Sequence, residues 1–414
     1  MTYDVIIVGA GIVGLSTAYK LSLAFPELRI TVLEKEGEVA AHQTGNNSGV
    51  IHSGIYYQPG SYKARNCVNG RHQLVDFCRK YDVEHEICGK VIVATSEEEI
   101  PRLHKIYKRG IQNGIEGIEI IGKERLAEIE PYTGGIKAIW VPVTGIVDFK
   151  GVCEQEQALL EEAGHPVQLN EPAIGIKKND REIVVQTPNQ ELKSRYLINC
   201  AGLQCDRIAR SAGLKPDIQI VPFRGEYYEL KPSAQHLVKG LIYPLPNPEF
   251  PFLGVHFTKM VTGGIECGPN AVFAFKREGY DKLSFDLLET VETFNFPGFW
   301  KMAGRHWRMG LDEMRRSLSK KAFVRGLQQL VPAIQEHQLE EAPSGVRAMA
   351  LTPDGDIVDD FSFVTAKREI HVLNAPSPAA TAGLAIGDEI VEKARRHFNL
   401  APTQKHFARA ASGV

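Results

Sequence analysis

The chain opens on an uninterrupted apolar, β-branched run, Val5-Ile6-Ile7-Val8, which reads as a strand buried on both faces of a parallel sheet. It stops at Gly9. From Ile12 to Ala24, apolar residues at Ile12, Leu15, Ala18 and Leu21 recur at helical spacing, and Arg29–Leu33 then reads as a second strand, completing a βαβ unit. The same rhythm returns with a helix over Gln155–Ala163, a strand near Val167–Leu169, a hairpin across Ile174–Thr187 and a strand at Arg195–Asn199. Between Pro216 and Pro269 it changes to short alternating strands broken by Pro and Gly: Gly225–Leu230, Leu241–Pro244 and Val261–Cys267. That is the pattern of an antiparallel sheet. Leu283–Leu339 is mostly helical by pattern, strands follow at Gly345–Thr352, Ser362–Ala366 and Ile370–Leu373, and a last helix runs from about Ala379 to His397.

This order predicts an α/β (α+β) fold with a Rossmann-like nucleotide domain built from residues 1–85, 146–215 and 345–400. An antiparallel-sheet substrate domain from 86–145 and 216–344 is inserted into it, and a loose tail covers 401–414. No internal repeat or low-complexity tract interrupts the pattern. With 414 residues, 43% of them hydrophobic, the chain can bury a large core. A formal net charge of −2 supplies no basic footprint for a phosphate backbone, so nucleic acid is not an expected partner. No run approaches the roughly 18–20 apolar residues that cross a bilayer, and Met1–Ile12 reads directly into a strand and glycine turn rather than a leader. The expected compartment is the cytoplasm. Seven scattered cysteines without a Cys-x-x-Cys pair fit a reducing environment, and no metal site is expected.

Gly9-Ala10-Gly11-Ile12-Val13-Gly14 is Gly-x-Gly-x-x-Gly between a strand and a helix, and Glu34 ends the second strand at the spacing of a dinucleotide fingerprint. The first glycine permits the turn, the second admits a pyrophosphate against the backbone, and the third lets helix and strand pack closely. The helix N-terminus then holds the phosphate charge, and Glu34 can accept the adenosine ribose hydroxyls. A bare glycine turn is the bland reading, and the βαβ context with its acid argues against it. FAD and NAD share the fingerprint. The Gly-, Asn- and Ser-rich segment His42–Gly54 separates them, because it is suited to run backbone against a flat ring system and phosphates. Near the C-terminus, Asn374–Thr381 follows a strand, with Ser377 as N-cap and Pro378 at the first position of the last helix. A helix end placed there would stabilise an anionic reduced flavin.

His42–Gly45, Asn47–Gly54, Pro222–Tyr227, Pro251–Thr258, Gly268–Val272, Ala274–Tyr280, Gly345–Ala348 and Asn374–Thr381 together resemble the L-2-hydroxyglutarate dehydrogenase/oxidase family. That family lies within the D-amino-acid-oxidase-like flavoproteins, and the resemblance spans nearly the whole chain. Met349 and Gly263–Glu266 depart from the family pattern, away from residues expected to be catalytic. The resemblance implies a D-amino-acid-oxidase-like fold, FAD as cofactor, and oxidation of L-2-hydroxyglutarate to 2-oxoglutarate by hydride transfer from C2 to flavin N5. It also implies electron delivery to a membrane quinone or electron-transfer chain, or to oxygen, with peripheral attachment to the inner face of the cell membrane in the first case. Phe407 and Arg409 in the tail are candidates for that attachment. The residues expected to touch FAD are Gly9, Ala10, Gly11, Ile12, Val13, Gly14, Glu34, Lys35, Thr44, Asn47, Ser48, Gly49, Val50, Ala173, Ala201, Gly202, Pro376, Ser377, Ala379, Ala380 and Thr381.

Removing a C2 hydride requires the hydroxyl to lose a proton, and histidine is the natural base near neutral pH. His52 and His256 are the candidates. Related flavoenzymes attach the flavin covalently through a histidine in the region of His52, so that residue has two open roles. Two carboxylates call for two cationic anchors. The resemblance carries the role of carboxylate anchor onto Arg347, in its Gly-x-Arg strand. Arg224, Lys276 and Arg277 are candidates for the distal carboxylate, although 276–278 also reads as a solvated charge cluster, and Tyr57 and Tyr227 are candidate hydrogen-bond donors. The competing readings are an amino-acid or amine oxidase on the same scaffold, a flavoprotein of RNA modification, and a non-catalytic nucleotide-binding module.

Overall fold

The computed structural model of the chain describes residues 2–246 and 254–400. Pro251–Leu253 of the family motif, and the tail with Phe407 and Arg409, lie outside the described residues. The first sheet has eight described strands, in the order Gly175–Lys178, Ile183–Gln186, Glu191–Asn199, Thr2–Val8, Ile30–Leu33 and Val167–Gln168. Glu369–Asn374 runs parallel to the end of Glu191–Asn199, and Ser362–Ala366 pairs antiparallel with Glu369–Asn374. Thr2–Val8 sits between two parallel neighbours. Its alternate side chains enter two cores: Val5 and Ile7 pack under the helices Ile12–Ala24, Tyr62–Tyr81, Phe149–Glu162 and Gly383–His397, while Ile6 and Val8 pack against the 175–186 hairpin and Ile208. This double burial explains the unbroken apolar run, each such side chain contributing roughly 1.5–3 kcal/mol.

The second sheet has nine described strands, in the order Val272–Phe273, Gln219–Leu230, Ile265–Gly268, His256–Lys259, Leu241–Pro244, Lys90–Ala94, Lys137–Val141 and Glu119–Gly122, with Leu339–Leu351 along Gln219–Leu230. All its pairs are antiparallel except Leu241–Pro244 with Lys90–Ala94. One face buries Val91, Ile242, Phe257 and Tyr228 beneath the helix Lys320–Gln328. Alternation therefore turns Lys90, Tyr243, His256 and Tyr227 to the opposite face. A small sheet of Val50–Ile51, Gly145–Val147 and His85–Glu86 lies between these two sheets in the chain's order.

Four expectations change. Leu339–Leu351 is one continuous strand of the second sheet, so the boundary expected at 344/345 cuts through it. The helix expected from Gln155 begins at Phe149, where the Asp148 carboxylate accepts from the Lys150 amide. The strand expected from Val261 begins at Ile265, after a turn. The last helix begins at Gly383, so Ser377 is not its N-cap and Pro378 is not its first residue. Residues 377–382 are turns instead, and the Thr381 hydroxyl within them bonds the 50–52 backbone.

Candidate active site

A single cavity of about 1400 Å³ runs from the Gly9 turn to the free face of the second sheet. It exceeds the roughly 300–1,000 Å³ of sites for drug-sized ligands. At its first end Gly9 takes a φ of +103°, and a side chain there would meet the Cys200 carbonyl at 2.5 Å. A Cβ on Gly14 would stand 1.9 Å from the Gly9 carbonyl oxygen, so helix and turn interlock only without one. Gly11 occupies the N-cap of the Ile12–Ala24 helix, and no side chain of its own caps it. The Glu34 carboxylate accepts from the Ala10 amide at 2.8 Å and the Glu36 amide at 3.0 Å, which fixes its headgroup on the cavity wall. The Thr44 hydroxyl accepts from the Ile12 amide at 3.1 Å, and a helix N-terminus behind a turn of Gly and Ala, together with a fixed acid, fits a pyrophosphate and ribose. Gly9, Gly11, Ile12, Val13, Glu34, Lys35, Thr44, Asn47, Ser48, Val50, Ala173, Ala201, Gly202, Pro376, Ser377, Ala379 and Ala380 line this cavity.

Ala10, Gly14, Gly49 and Thr381, also expected at the cofactor, are not on its wall. They act one layer behind. Ala10 positions Glu34, Gly14 sets the turn, the Gly49 amide donates to the Asn47 side-chain carbonyl at 2.8 Å, and Thr381 ties the 377–382 turn to the Val50–His52 segment. The Thr381 hydroxyl donates to the Val50 carbonyl at 3.1 Å and accepts from the His52 amide at 3.0 Å. In this way the motif at 374–381 fixes the segment 42–54. Residues 376–380 line the cavity there, ahead of the helix that begins at Gly383. Gly345 allows a second close approach, since a Cβ would lie 2.5 Å from the Asn46 carbonyl.

The other end gathers His52, Tyr56, Tyr57, Tyr227, Tyr243, His256 and Arg347. His256 is 6% exposed, and its Nδ1 lies 2.9 Å from the Gly254 carbonyl. Only a protonated Nδ1 can make that contact, which leaves Nε2 unprotonated in the neutral ring. Burial, with the charges of Arg347 and Lys90, pushes its pKa down to about 3. Burial, Lys90 and His256 likewise bring His52 to about 3. Tyr227, hydrogen-bonded to Arg347, is pushed up to about 12 by burial against the guanidinium's opposing charge. Tyr56 and Tyr57 are placed by the helix Ile100–Gln112: Arg109 donates to the Tyr56 carbonyl at 2.6 Å, and Asn113 just beyond the helix to the Tyr57 carbonyl at 3.0 Å.

The three candidates for the distal carboxylate do not line the cavity. Arg224 is 5% exposed and committed to Glu226 at 2.8 Å and the Asp281 carbonyl at 3.0 Å. Arg277 is 2% exposed, with Asp206 accepting from both its terminal nitrogens and the Leu203 carbonyl from one at 2.7 Å. These are structural ion pairs. Lys276 is half-buried away from the cavity wall. Glu36, His42 and Glu278 converge in a way that could hold a metal ion, but the Lys35 ammonium sits among them, 3.0 Å from Glu278 and 2.7 Å from His42 Nε2. Sequence reasoning missed Tyr56, Tyr243 and Lys90. The signal for Lys90 was a lone charge heading the apolar run Val91–Ala94.

Fold and site together define a flavin-dependent oxidoreductase of D-amino-acid-oxidase-like architecture, with FAD as cofactor. The chain belongs to the FAD dependent oxidoreductase family (DAO), which it matches over residues 4–393. Among curated proteins it is 49% identical to the L-2-hydroxyglutarate dehydrogenase of Indibacter alkaliphilus, over 96% of this chain and 100% of that protein. It is 44% identical to the mitochondrial L-2-hydroxyglutarate dehydrogenase of Homo sapiens, over 96% and 90%, and 43% identical to the L-2-hydroxyglutarate dehydrogenase of Escherichia coli K12, over 100% and 98%. These relatives bear out the resemblance read from the motifs. Among solved structures, dithionite-reduced L-alpha-glycerophosphate oxidase from Mycoplasma pneumoniae with FAD bound superposes with a TM-score of 0.80 at 23% identity, over 98% of this chain and 97% of that one. Glycine oxidase from Geobacillus kaustophilus gives 0.71 at 17%, over 98% of each. Both establish the fold alone.

Proposed function

We propose that this protein oxidises L-2-hydroxyglutarate to 2-oxoglutarate, and the observation that carries the reading is the neutral, oriented His256 beside Arg347 at the end of the cofactor cavity. Bound FAD supplies the two-electron acceptor for the hydride that leaves C2. His256 Nε2 takes the hydroxyl proton. Arg347, steadied by Tyr227, holds the carboxylate next to C2 with the directional donors that a guanidinium offers. Substrate carboxylates would offset the cations that depress His256, raising its basicity as the complex forms. His52 approaches the same space with no hydrogen bond from its ring to a described residue, which suits either a substrate contact or a flavin tether. In this reading the first sheet holds the cofactor and the second presents the substrate groups. Steady-state turnover with an artificial acceptor tests it: one 2-oxoglutarate should form per two electrons from the L enantiomer, and 2-oxoglutarate formed equally from D would contradict the orientation argument.

The electrons then pass to an acceptor at a membrane surface. Exposed apolar side chains concentrate between residues 275 and 318, with Leu283, Leu288, Trp300, Trp307 and Leu318 all at least half exposed. Arg308, Arg315 and Arg316 lie on the same Pro297–Leu318 helix as the two tryptophans. An apolar face carrying cations fits an anionic lipid surface. No helix among the described residues is long and apolar enough to cross a membrane. Flotation with anionic but not neutral vesicles is the expected result, and oxygen uptake matching turnover in the absence of membranes would favour oxygen instead.

A further inference from the structure

We propose that Lys90, Tyr56 and Tyr243 form the subsite for a second, distal carboxylate, with the two phenols touching the anion and Lys90 acting through them as a buried positive charge. This inference rests on the hydroxy-acid reading above and names the part of the site that would select a diacid. Lys90 opens a strand in the middle of the second sheet, paired with Val141 on one side and Leu241 on the other. It is 1% exposed. Its Nζ lies 4.7 Å from the Tyr243 ring centroid and 5.0 Å from that of Tyr56, and no carboxylate of a described residue pairs with it. Buried ammonium groups usually sit beside an acid, because an uncompensated charge in a low dielectric is costly. Aromatic faces offset only part of that cost.

The two tyrosines supply an independent observation. Both line the cavity, and both hydroxyl oxygens are buried without a hydrogen-bond partner. Ser48 and Thr258 neighbour the Tyr243 hydroxyl, yet neither meets it in hydrogen-bonding geometry. Buried phenols nearly always find a partner, so two cavity-lining hydroxyls without one, on rings that flank one cation, offer donors suited to an anion. The Tyr243 ring also lies against that of His256, tilted by 34° with centroids 4.0 Å apart, so an anion held by its hydroxyl would lie close to the candidate base.

Charge balance points the same way. Arg347 supplies one positive charge to the reacting end and Lys90 a second, and both lower the His256 pKa while Lys90 also lowers that of His52. Two cations around two neutral histidines match a substrate carrying two negative charges, whereas a zwitterionic amino acid would bring its own ammonium into that field. The groups facing Lys90 are His52 and His256, the two phenols, and Cys67 on the Tyr62–Tyr81 helix with Arg71 behind it. Burial lowers the Lys90 pKa to about 8, with Cys67 opposing, so the ammonium remains mostly charged at neutral pH. Its effect on the anion is electrostatic, and Lys90 is a positioning residue rather than a catalytic one.

The experiment compares kcat/KM for L-2-hydroxyglutarate with that for its 5-amide, which keeps the length and loses the distal charge. The proteins are FAD-loaded wild type, Lys90→Met, Lys90→Arg and the double variant Tyr56→Phe/Tyr243→Phe. Wild type should favour the diacid, Lys90→Met should shrink that preference by about tenfold or more, as loss of one charge-assisted interaction implies, and Lys90→Arg should restore much of it. A merely structural lysine would lower activity toward both substrates together and leave their ratio unchanged, and that outcome overturns the proposal. If Lys90→Met yields no yellow protein, the double tyrosine variant decides: an unchanged ratio there rejects the subsite, and a reduced one supports it. Failure of the wild type to oxidise L-2-hydroxyglutarate at all would instead remove the reading on which the subsite rests.

Discussion

The two ends of the cavity recognise their ligands by different means. At the cofactor end, recognition rests mainly on backbone: a turn of Gly9, Ala10 and Gly11 and a helix N-terminus, with one acid, all contributed within the first 34 residues. At the reacting end the contacts come from side chains on strands and loops far apart in sequence, among them Tyr56, Tyr243, His256 and Arg347, with Lys90 behind the two phenols. Backbone recognition tolerates no added atoms, whereas side-chain recognition fails by degrees and by chemistry. The first end should therefore break all at once and the second one property at a time.

Gly14→Val should have the largest effect. Its branched side chain would start where the Gly9 carbonyl oxygen now lies, so helix and turn cannot both keep their places. The purified protein should lack flavin absorbance, and a normally yellow variant would contradict the interlock. His256→Asn should bind FAD normally yet lose about 10²- to 10⁴-fold in kcat, the usual contribution of a positioned general base. Its residual activity should rise with solvent pH as hydroxide replaces the missing base; retention of the wild-type pH profile would exclude His256 from proton removal.

Arg277 and Arg347 sharpen the comparison because the sequence offered both as anchors. Asp206→Asn removes the two-point partner of the Arg277 guanidinium, leaves Glu292 at 3.4 Å, and should cost at most about 3–5 kcal/mol of stability. In folded Asp206→Asn, kcat/KM should change little, which thermal melts alongside steady-state rates would show. Glu156→Gln should have the smallest effect on turnover, because Glu156 lies away from the cavity wall. Burial raises the Glu156 carboxyl pKa to about 8, with the Ser16 hydroxyl 2.7 Å away. The folded state therefore holds a proton that the unfolded chain releases above its ordinary 4.5, and wild-type stability falls as pH rises from about 4.5 to about 8. The Tm of Glu156→Gln relative to wild type should thus climb between pH 5 and pH 9, and a constant difference would mean that Glu156 is ionised in the fold.

What could be read from the sequence follows the same division. The βαβ unit, the glycine interlock and Glu34 were legible because each depends on local spacing, and the strand Thr2–Val8 betrayed its double burial through its composition. His256 and Arg347 were legible only through the motifs around them. Arg224 and Arg277 looked equally suitable because a basic residue's sequence neighbours do not reveal its ion-pair partner, and Asp206 lies 71 positions from Arg277. Lys90 went unnoticed because its significance comes from sheet order, which places it beside Leu241 and under the Tyr243 ring. The last helix was placed too early because Ser377-Pro378 satisfies local capping rules, whereas these residues form a turn whose Thr381 contacts reach back to residues 50–52.

The central claim is that one cavity brings FAD and a hydroxy diacid together, with His256 and Arg347 at the reacting carbon. Anaerobic mixing of the yellow protein with L-2-hydroxyglutarate, D-2-hydroxyglutarate, L-lactate and a panel of amino acids, followed by flavin absorbance, tests it most directly. Rapid bleaching by L-2-hydroxyglutarate alone is the predicted result. Bleaching by an amino acid, with none by L-2-hydroxyglutarate, would contradict the account and make this chain an amino-acid oxidase.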